Sequence, residues 1–122
     1  MTLPDCPTTP NCVCSTATRE AQRVAPLTFT GDWQAARDRL VALIQSLPRT
    51  NIVSIDGPQI HATFSTFLFR FVDDVHFLYE PTTGLIHIRS ASRLGRADFG
   101  TNRRRVEEIR RRWEAGSVST SN

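Results

Sequence analysis

The chain of 122 residues is long enough to bury one core and too short for two ordinary domains. All fifteen basic side chains are arginines, which excludes lysine chemistry such as Schiff-base formation, and the net charge is +3. No apolar run approaches the roughly 20 residues of a membrane span, and the N-terminus lacks the basic start and apolar run of a signal peptide. These features predict a cytoplasmic protein without membrane contact.

Composition divides the chain into three parts. Residues 1–31 are rich in proline, threonine and cysteine without a hydrophobic period, so we expect an irregular segment that packs on the domain. Residues 32–116 carry the periodic patterns of a single α+β domain. The serine-rich and threonine-containing residues 117–122 are expected to form a disordered tail.

Three cysteines, Cys6, Cys12 and Cys14, lie within the first fourteen residues, so they cannot hold the whole domain together. The spacing of Cys6 and Cys12 permits a local disulfide, whereas Cys12 and Cys14 are too close to pair easily. Unbonded thiols, which a reducing cytoplasm favours, and a reactive Cys12 are the alternatives. Zinc is disfavoured because the usual two pairs of close-spaced ligands are not both present, so we expect no metal.

The first regular element is an amphipathic helix that starts near Asp32. Its apolar residues recur at steps of three and four, which places them on one helix face. Thr30 or Asp32 is the expected N-cap, and Pro48 ends the helix. The predicted apolar face consists of Trp33, Ala36, Leu40, Leu43, Ile44 and Leu47.

Beyond Pro48 the hydrophobic period falls to two, which is typical of strands. Because short turns join the strands, they are expected to pair as an antiparallel meander. The predicted strands are 51–56, 60–65, 69–79 and 85–91.

A last helix is predicted from Asn102 to Ala115, with Gly116 as its C-cap. Its inward face should carry Asn102, Val106, Ile109 and Trp113. The predicted fold is therefore α+β: a four-stranded antiparallel meander with an N-terminal and a C-terminal helix on one face, preceded by the irregular segment. The two helices are expected to cover the sheet face that carries Phe71 and Phe77.

The outer face of this sheet carries the first candidate site. If a loop at 80–83 closes the last hairpin, the cross-strand pairs are Asp74 with Arg89, Asp73 with Ser90, and His76 with His87. His61 then lies beside Asp74, in a row that reads His61, Asp74, Arg89. A carboxylate between a histidine and a guanidinium suits proton transfer or anion binding, although a solvated sheet face looks the same.

Apolar side chains on the same outer face indicate that something covers it. A homodimer through this face is one hypothesis for that cover. The apolar residues assigned to the outer face are Leu68, Val72, Leu78 and Leu85.

Three stretches, 6–15 (CPTTPNCVCS), 71–75 (FVDDV) and 89–107 (RSASRLGRADFGTNRRRVE), carry a resemblance to a known family. Together they resemble the domain of unknown function 1499 family of bacteria and plant plastids, over nearly the whole chain. Two residues depart from the family pattern, because Cys14 stands in place of a serine and His76 in place of a glutamate. A site that uses either position is therefore particular to this chain.

Asp73 is predicted to lie among core side chains, where a carboxylate must find donors or hold a proton. The Ser90 hydroxyl and the amides of residues 90–98 are the expected donors, in which case Asp73 anchors that loop. A catalytic acid is the alternative.

The arginine-rich loop and helix start form the second candidate site. Arginines around the helix-start amides could hold a carboxylate or phosphate, while the alternative is a solvated helix with the pairs Arg103–Glu107 and Arg104–Glu108. The predicted ligand-binding residues are Arg89, Ser90, Ser92, Arg93, Asp98, Asn102 and Arg103, with Arg96 also facing the site.

Two functions follow from these sites. The preferred hypothesis is the binding of a small anionic molecule, or of an acidic protein partner, at the arginine-rich loop. The alternative is a small enzyme without a cofactor that uses His61, Asp73 or Asp74 for proton transfer, with Cys12 nearby. Nucleic acid is disfavoured because Glu107, Glu108 and Glu114 interrupt the basic helix face.

Overall fold

A computed structural model describes residues 2–67, 71–93 and 100–120, with side chains through residue 116. It is an α+β fold in which two helices pack on a six-stranded antiparallel sheet. The strands are β1 (Cys12–Cys14), β2 (Leu27–Thr28), β3 (Thr50–Asp56), β4 (Gln59–Ser65), β5 (Val72–Glu80) and β6 (Leu85–Ser92), and the helices are α1 (Trp33–Ser46) and α2 (Thr101–Thr120).

Helix α1 confirms the periodicity seen in the sequence. Asp32 is its N-cap, and the Asp32 carboxylate accepts a 2.7 Å hydrogen bond from the amide of Ala35. The helix ends before Leu47 and Pro48, as the proline requires. Its predicted apolar face is turned to the core, where Leu40 and Ile44 are fully buried.

Helix α2 has the predicted inward face but not the predicted end. Asn102, Val106, Ile109 and Trp113 are all buried. The helix continues past Gly116 to Thr120, into the segment that was expected to be a disordered tail. Gly116 is not among the glycines with positive φ, so it does not form the left-handed turn that ends many helices.

The sheet order is β1-β6-β5-β4-β3, and β2 also pairs with β6. The expectation of four strands was therefore wrong, because the N-terminal segment adds β1 and β2 along the far edge of β6. These strands are only three and two residues long, and their partner lies more than fifty residues away. A local hydrophobic period cannot reveal such pairing.

The register of the last hairpin also differs from the prediction. The connecting loop spans residues 81–84, so Asp74 lies opposite Ala91 and His76 lies opposite Arg89. Sliding a four-residue loop by one position changes every partner by two residues, which leaves each side chain on its predicted face. The remaining corrected pairs are Asp73 with Ser92, Leu78 with His87, Val75 with Ser90, and Phe77 with Ile88.

The main core lies between the inner sheet face and the two helices, with Phe77 fully buried at its centre. Phe71 was expected on the same face, but it precedes β5 and is 45% exposed. The predicted start of this strand at residues 69 and 70 lies outside the described residues. Neither α1 nor the described part of α2 has the length and apolar character needed to cross a membrane.

The N-terminal segment covers part of the outer sheet face. A second apolar cluster joins Leu3 and Ala17 to Leu78 of β5, and it includes all three cysteines. Cys6 and Cys12 form a disulfide, while Cys14 is a buried free cysteine. The cover expected over Leu78 is therefore supplied, at this end of the sheet, by the chain's own first residues.

Candidate functional site

The predicted site residues form two groups on opposite sheet faces. We call the first the buried network and the second the outer-face cluster. The buried network consists of Asn11, Asp73, Ser90, Ser92, Asn102 and Arg105. The outer-face cluster consists of His61, Asp74, His76, Arg89 and Arg93.

The buried network ties β5 and β6 to α2. Asp73, 1% exposed, pairs with the Arg105 guanidinium, which is 12% exposed and also lies over the Phe64 ring. The Ser90 hydroxyl donates to Asn102 Oδ1 at 2.5 Å rather than to Asp73. Asp73 therefore has a guanidinium as its charged partner, which differs from the predicted donor.

Asn102 links the network to the N-terminal segment. Its side-chain amide donates to the Asn11 carbonyl and to the Ser92 hydroxyl, each at 3.0 Å. Asn11 in turn donates to the Ser92 carbonyl at 3.0 Å. All three stretches that carry the family resemblance thus meet here, and this arrangement of satisfied buried groups has the character of a structural anchor.

Two residues of the buried network, Asn11 and Arg105, were missed from the sequence. Both lie inside the resemblance stretches, at 6–15 and 89–107, and that position was the available signal. Hydrophobic patterning did not indicate Asn11, which lies in an irregular segment, or Arg105, which is charged.

The other residues of the predicted anion site do not converge. Arg103 donates to the backbone carbonyls of Ala21 and Arg23, at 2.7 and 3.2 Å. Asp98 and Arg96 lie outside the described residues. The arginine-rich helix start therefore fastens α2 to the N-terminal segment through Arg103.

The predicted helix pairs also differ from those observed. Glu107 bonds to Arg110, and Glu108 bonds to Arg111 and Arg112, instead of to Arg103 and Arg104. An acidic residue that precedes its basic partner has the more favourable orientation along a helix.

Asp74 is the centre of the outer-face cluster. Its carboxylate accepts two hydrogen bonds from Arg93, at 3.0 and 3.2 Å, and one of 2.8 Å from His61 Nε2. The bonds from Arg93 and then His61 lower the pKa of Asp74, although partial burial opposes them. His61 thus meets Asp74 as predicted, but diagonally, because its direct cross-strand partner is His76.

Arg93, and not Arg89, supplies the guanidinium that was expected on Asp74. Arg89 lies opposite His76, and its Nε atom is buried without a hydrogen-bond partner among the described residues. The Nδ1 atom of His76 is buried and unpaired in the same way. Position 76 therefore places an imidazole, and no carboxylate, opposite Arg89.

His76 stacks on His61, with their ring centroids 4.1 Å apart. Burial lowers the pKa of His76, and the neighbouring His61 and Arg89 lower it further, against an opposing effect of Asp74. His76 is therefore held neutral near pH 7, next to a histidine that is oriented by a carboxylate.

A cleft of about 480 Å³ adjoins the outer-face cluster. One of its walls is Thr63, the cross-strand partner of Asp74. The cleft is lined by Arg49, Thr50, Asn51, Thr63, Ser65 and Phe67. Thr63 and Ser65 offer hydroxyl groups and Asn51 an amide to a small polar molecule, while the Arg49 guanidinium bonds to the Ser65 carbonyl and lies over the Phe67 ring.

The remaining predicted catalytic residue, Cys12, has its sulfur bonded to Cys6 and does not join the cluster. Within the described ranges there is no group of three or more His, Cys, Asp or Glu side chains that could hold a metal ion.

The stability of the protein should fall as the solution is acidified below pH 6.5, the ordinary pKa of histidine. The unfolded chain protonates His76 first, because the folded-state pKa is lower. The stability contributed by neutral His76 is fully present above pH 6.5 and is lost as the pH falls toward the pKa of His76 in the folded protein. A second loss should follow below the ordinary aspartate pKa of 3.8, because the pKa of Asp74 is also lowered.

Urea unfolding across this pH range measures both losses. The variant His76→Gln should lack the first decline and keep the second. A decline between pH 6.5 and 5 that is as steep in the variant as in the wild type would contradict the assignment to His76.

A family model described as protein of unknown function (DUF1499) matches residues 2–112. The match covers most of the chain, so the chain belongs to this family and the resemblance is confirmed. No curated protein and no solved structure gives a significant match.

Proposed function

We propose that the outer-face cluster and the adjoining cleft bind a small anionic ligand. The observation that carries this proposal is the chain of contacts from Arg93 through Asp74 to His61, because its central residue Asp74 lies opposite Thr63 of the cleft wall. Arg93 is a cation and His61 is a hydrogen-bond donor, and the side chains of Arg93, His61 and Asp74 are all partly open to solvent.

The charge of the cluster favours an anion. Asp74 is its single carboxylate, whereas Arg89 and Arg93 are two permanent cations. A carboxylate or phosphate that bound Arg93 and His61 would replace Asp74, which is the acid partner of both side chains. Thr63 and Ser65 would then supply hydroxyl groups for the rest of the ligand.

A thermal-shift titration with inorganic phosphate and with succinate tests this proposal. A ligand at ten times its dissociation constant stabilises the fold by about 1.4 kcal/mol, which corresponds to a rise in Tm of about 4–7 °C for a domain of this size. The rise should fade with added chloride, because a partly exposed charge pair is screened.

The variants Arg93→Gln and His61→Gln should lose this rise in Tm. Arg37→Gln is the matched control, because Arg37 is an arginine of α1 that bonds only to its neighbour Asp38 among the contacts described. No rise with either anion, or an equal rise in Arg93→Gln and the control, would contradict the proposal.

Proton transfer by His61 is the second candidate function. The 2.8 Å bond from His61 Nε2 to Asp74 favours it, since a carboxylate that holds one ring nitrogen fixes the tautomer and direction of the other. In such a reaction His61 would exchange the proton and Asp74 would be a positioning residue. A substrate conversion that survives in His61→Gln would exclude this function.

A further inference from the structure

Strand β3 is a sheet edge that the rest of the described chain leaves open. It pairs with β4 alone, and Asn51, Val53, Ser54, Ile55 and Asp56 are exposed. Val53 and Ile55 are 50% and 45% exposed, which is high for large apolar residues. Natural sheets usually protect a free edge with charged side chains, proline, a bulge or a covering segment. The sequence of β3, TNIVSID, contains no proline, and its own protection is limited to Asp56 at its end and one bulge near its centre.

A bulge gives β3 a symmetrical pattern. The register with β4 shifts between Ile52 and Ser54, which leaves Val53 as an extra residue. Before the bulge, Asn51 faces outward opposite Thr63, and after it Ser54 faces outward opposite His61. Without the extra residue, Asn51 and Ser54 would lie on opposite faces.

The two halves of the edge therefore match when one copy is turned around. Counted from its outer end towards the bulge, each half has a charged residue, then a residue that faces the core, then a polar residue and finally an apolar one. The first half is Arg49, Thr50, Asn51 and Ile52, and the second half is Asp56, Ile55, Ser54 and Val53. The outer members have opposite charges: Asp56 ends β3, and Arg49, with φ of 58°, immediately precedes it and donates from Nε to the Ser65 carbonyl at 3.3 Å.

We propose that β3 pairs antiparallel with β3 of a second copy of this chain. In this register Arg49 lies opposite Asp56 of the second copy, and Asn51 lies opposite Ser54, each pair occurring twice about the two-fold axis. Thr50 meets Ile55 on the core side, and Ile52 meets Val53 at the centre. The exposed apolar side chains of both copies are then covered, and the two six-stranded sheets become continuous.

Charge complementarity selects a second copy as the occupant. The same edge shifted by two residues would bring Arg49 opposite Ser54 and leave Asp56 without a cation. Parallel pairing would place Arg49 beside Arg49 and Asp56 beside Asp56, which is repulsive. The antiparallel register described above is the arrangement that pairs both charges.

This inference does not depend on the proposed ligand. It concerns the strand edge, whereas the anion is assigned to Arg93 and His61. The cleft does reach the edge, because Arg49, Thr50 and Asn51 line it, so a second copy would add its own Ser54 and Asp56 near the cleft mouth.

Sedimentation equilibrium of the whole chain tests the pairing. The apparent mass should rise with concentration from 13.7 kDa towards twice that value. Asp56→Arg should keep the protein monomeric, because Arg49 would face another arginine, and Arg49→Asp should do the same. The double variant Arg49→Asp, Asp56→Arg should recover the association, since the charges are exchanged but still complementary.

Asp38→Arg is the matched control for the charge reversal, because Asp38 is an exposed acid on α1, and it should associate like the wild type. A wild-type protein that stays monomeric up to millimolar concentration would overturn the proposal. So would a double variant that folds, by circular dichroism, and remains monomeric.

Covalent trapping provides a second measurement that needs no charged variant. In the proposed register the variant Asn51→Cys, Ser54→Cys brings cysteines of two copies within disulfide range, so mild oxidation should yield a dimer on a denaturing gel. Each single variant should stay largely monomeric, because neither residue lies opposite itself. Equal cross-linking of the single and double variants would contradict the register.

Discussion

Replacement of Asp73 by alanine is expected to lower the free energy of unfolding by about 3–5 kcal/mol. The Asp73 carboxylate is 1% exposed and pairs with Arg105, so the substitution leaves a guanidinium that is only 12% exposed without its counter-charge. Removing one member of a buried pair costs far more than the pair itself contributes. Urea unfolding monitored by circular dichroism measures the change.

Two further variants separate the loss of a partner from the loss of a side chain. Asp38→Ala removes an exposed acid that bonds to Arg37 and should cost less than about 1 kcal/mol. The double variant Asp73→Leu, Arg105→Met removes both charges and should regain part of the stability lost in Asp73→Ala. A cost for Asp73→Ala no larger than for Asp38→Ala would contradict the buried pair.

Phe77→Ala should cost about 3–5 kcal/mol, because it removes a fully buried aromatic ring at the centre of the main core. The surrounding helices and strands cannot close the resulting cavity completely. Phe67→Ala is the matched control, since Phe67 is 75% exposed and its loss should cost less than about 1 kcal/mol. Similar costs for the two phenylalanines would show that the buried face is wrongly assigned.

Local periodicity was sufficient to predict the two helices and the side of the sheet that they cover. The inward residues of α2, from Asn102 to Trp113, were all identified, because a helix repeats its buried face every three or four residues. The end of α2 was not, since Gly116 is compatible with both a helix and a left-handed cap.

The sequence predicted the cross-strand partner of each residue less well than the sheet face on which its side chain lies. The position of a four-residue turn within residues 80–84 is not fixed by the alternating pattern, and a shift of one position moves every partner by two residues. Asp74 was consequently assigned to Arg89 instead of Arg93. The contact between His61 and Asp74 was nevertheless anticipated, because long side chains can also meet diagonally across a sheet.

Two parts of the candidate site depend on tertiary contacts that no local pattern contains. The Arg105 partner of Asp73 lies 32 positions along the chain, on a different element. Arg103 turned out to bind backbone carbonyls of the N-terminal segment, whose path over the sheet could not be read from its irregular composition.

The pairing of the N-terminal strands with β6 has a consequence for biosynthesis. Cys12 and Val13 pair with Ala91 and Ser90, so these two residues cannot pair until β6 has been made. Asn102, which binds the Asn11 carbonyl, emerges later still. Contacts of such high sequence separation slow folding, because the loop entropy is lost before they form. A nascent chain can therefore form α1 and the central hairpins early, but its N-terminal segment cannot pack on the sheet until β6 and the start of α2 have been made.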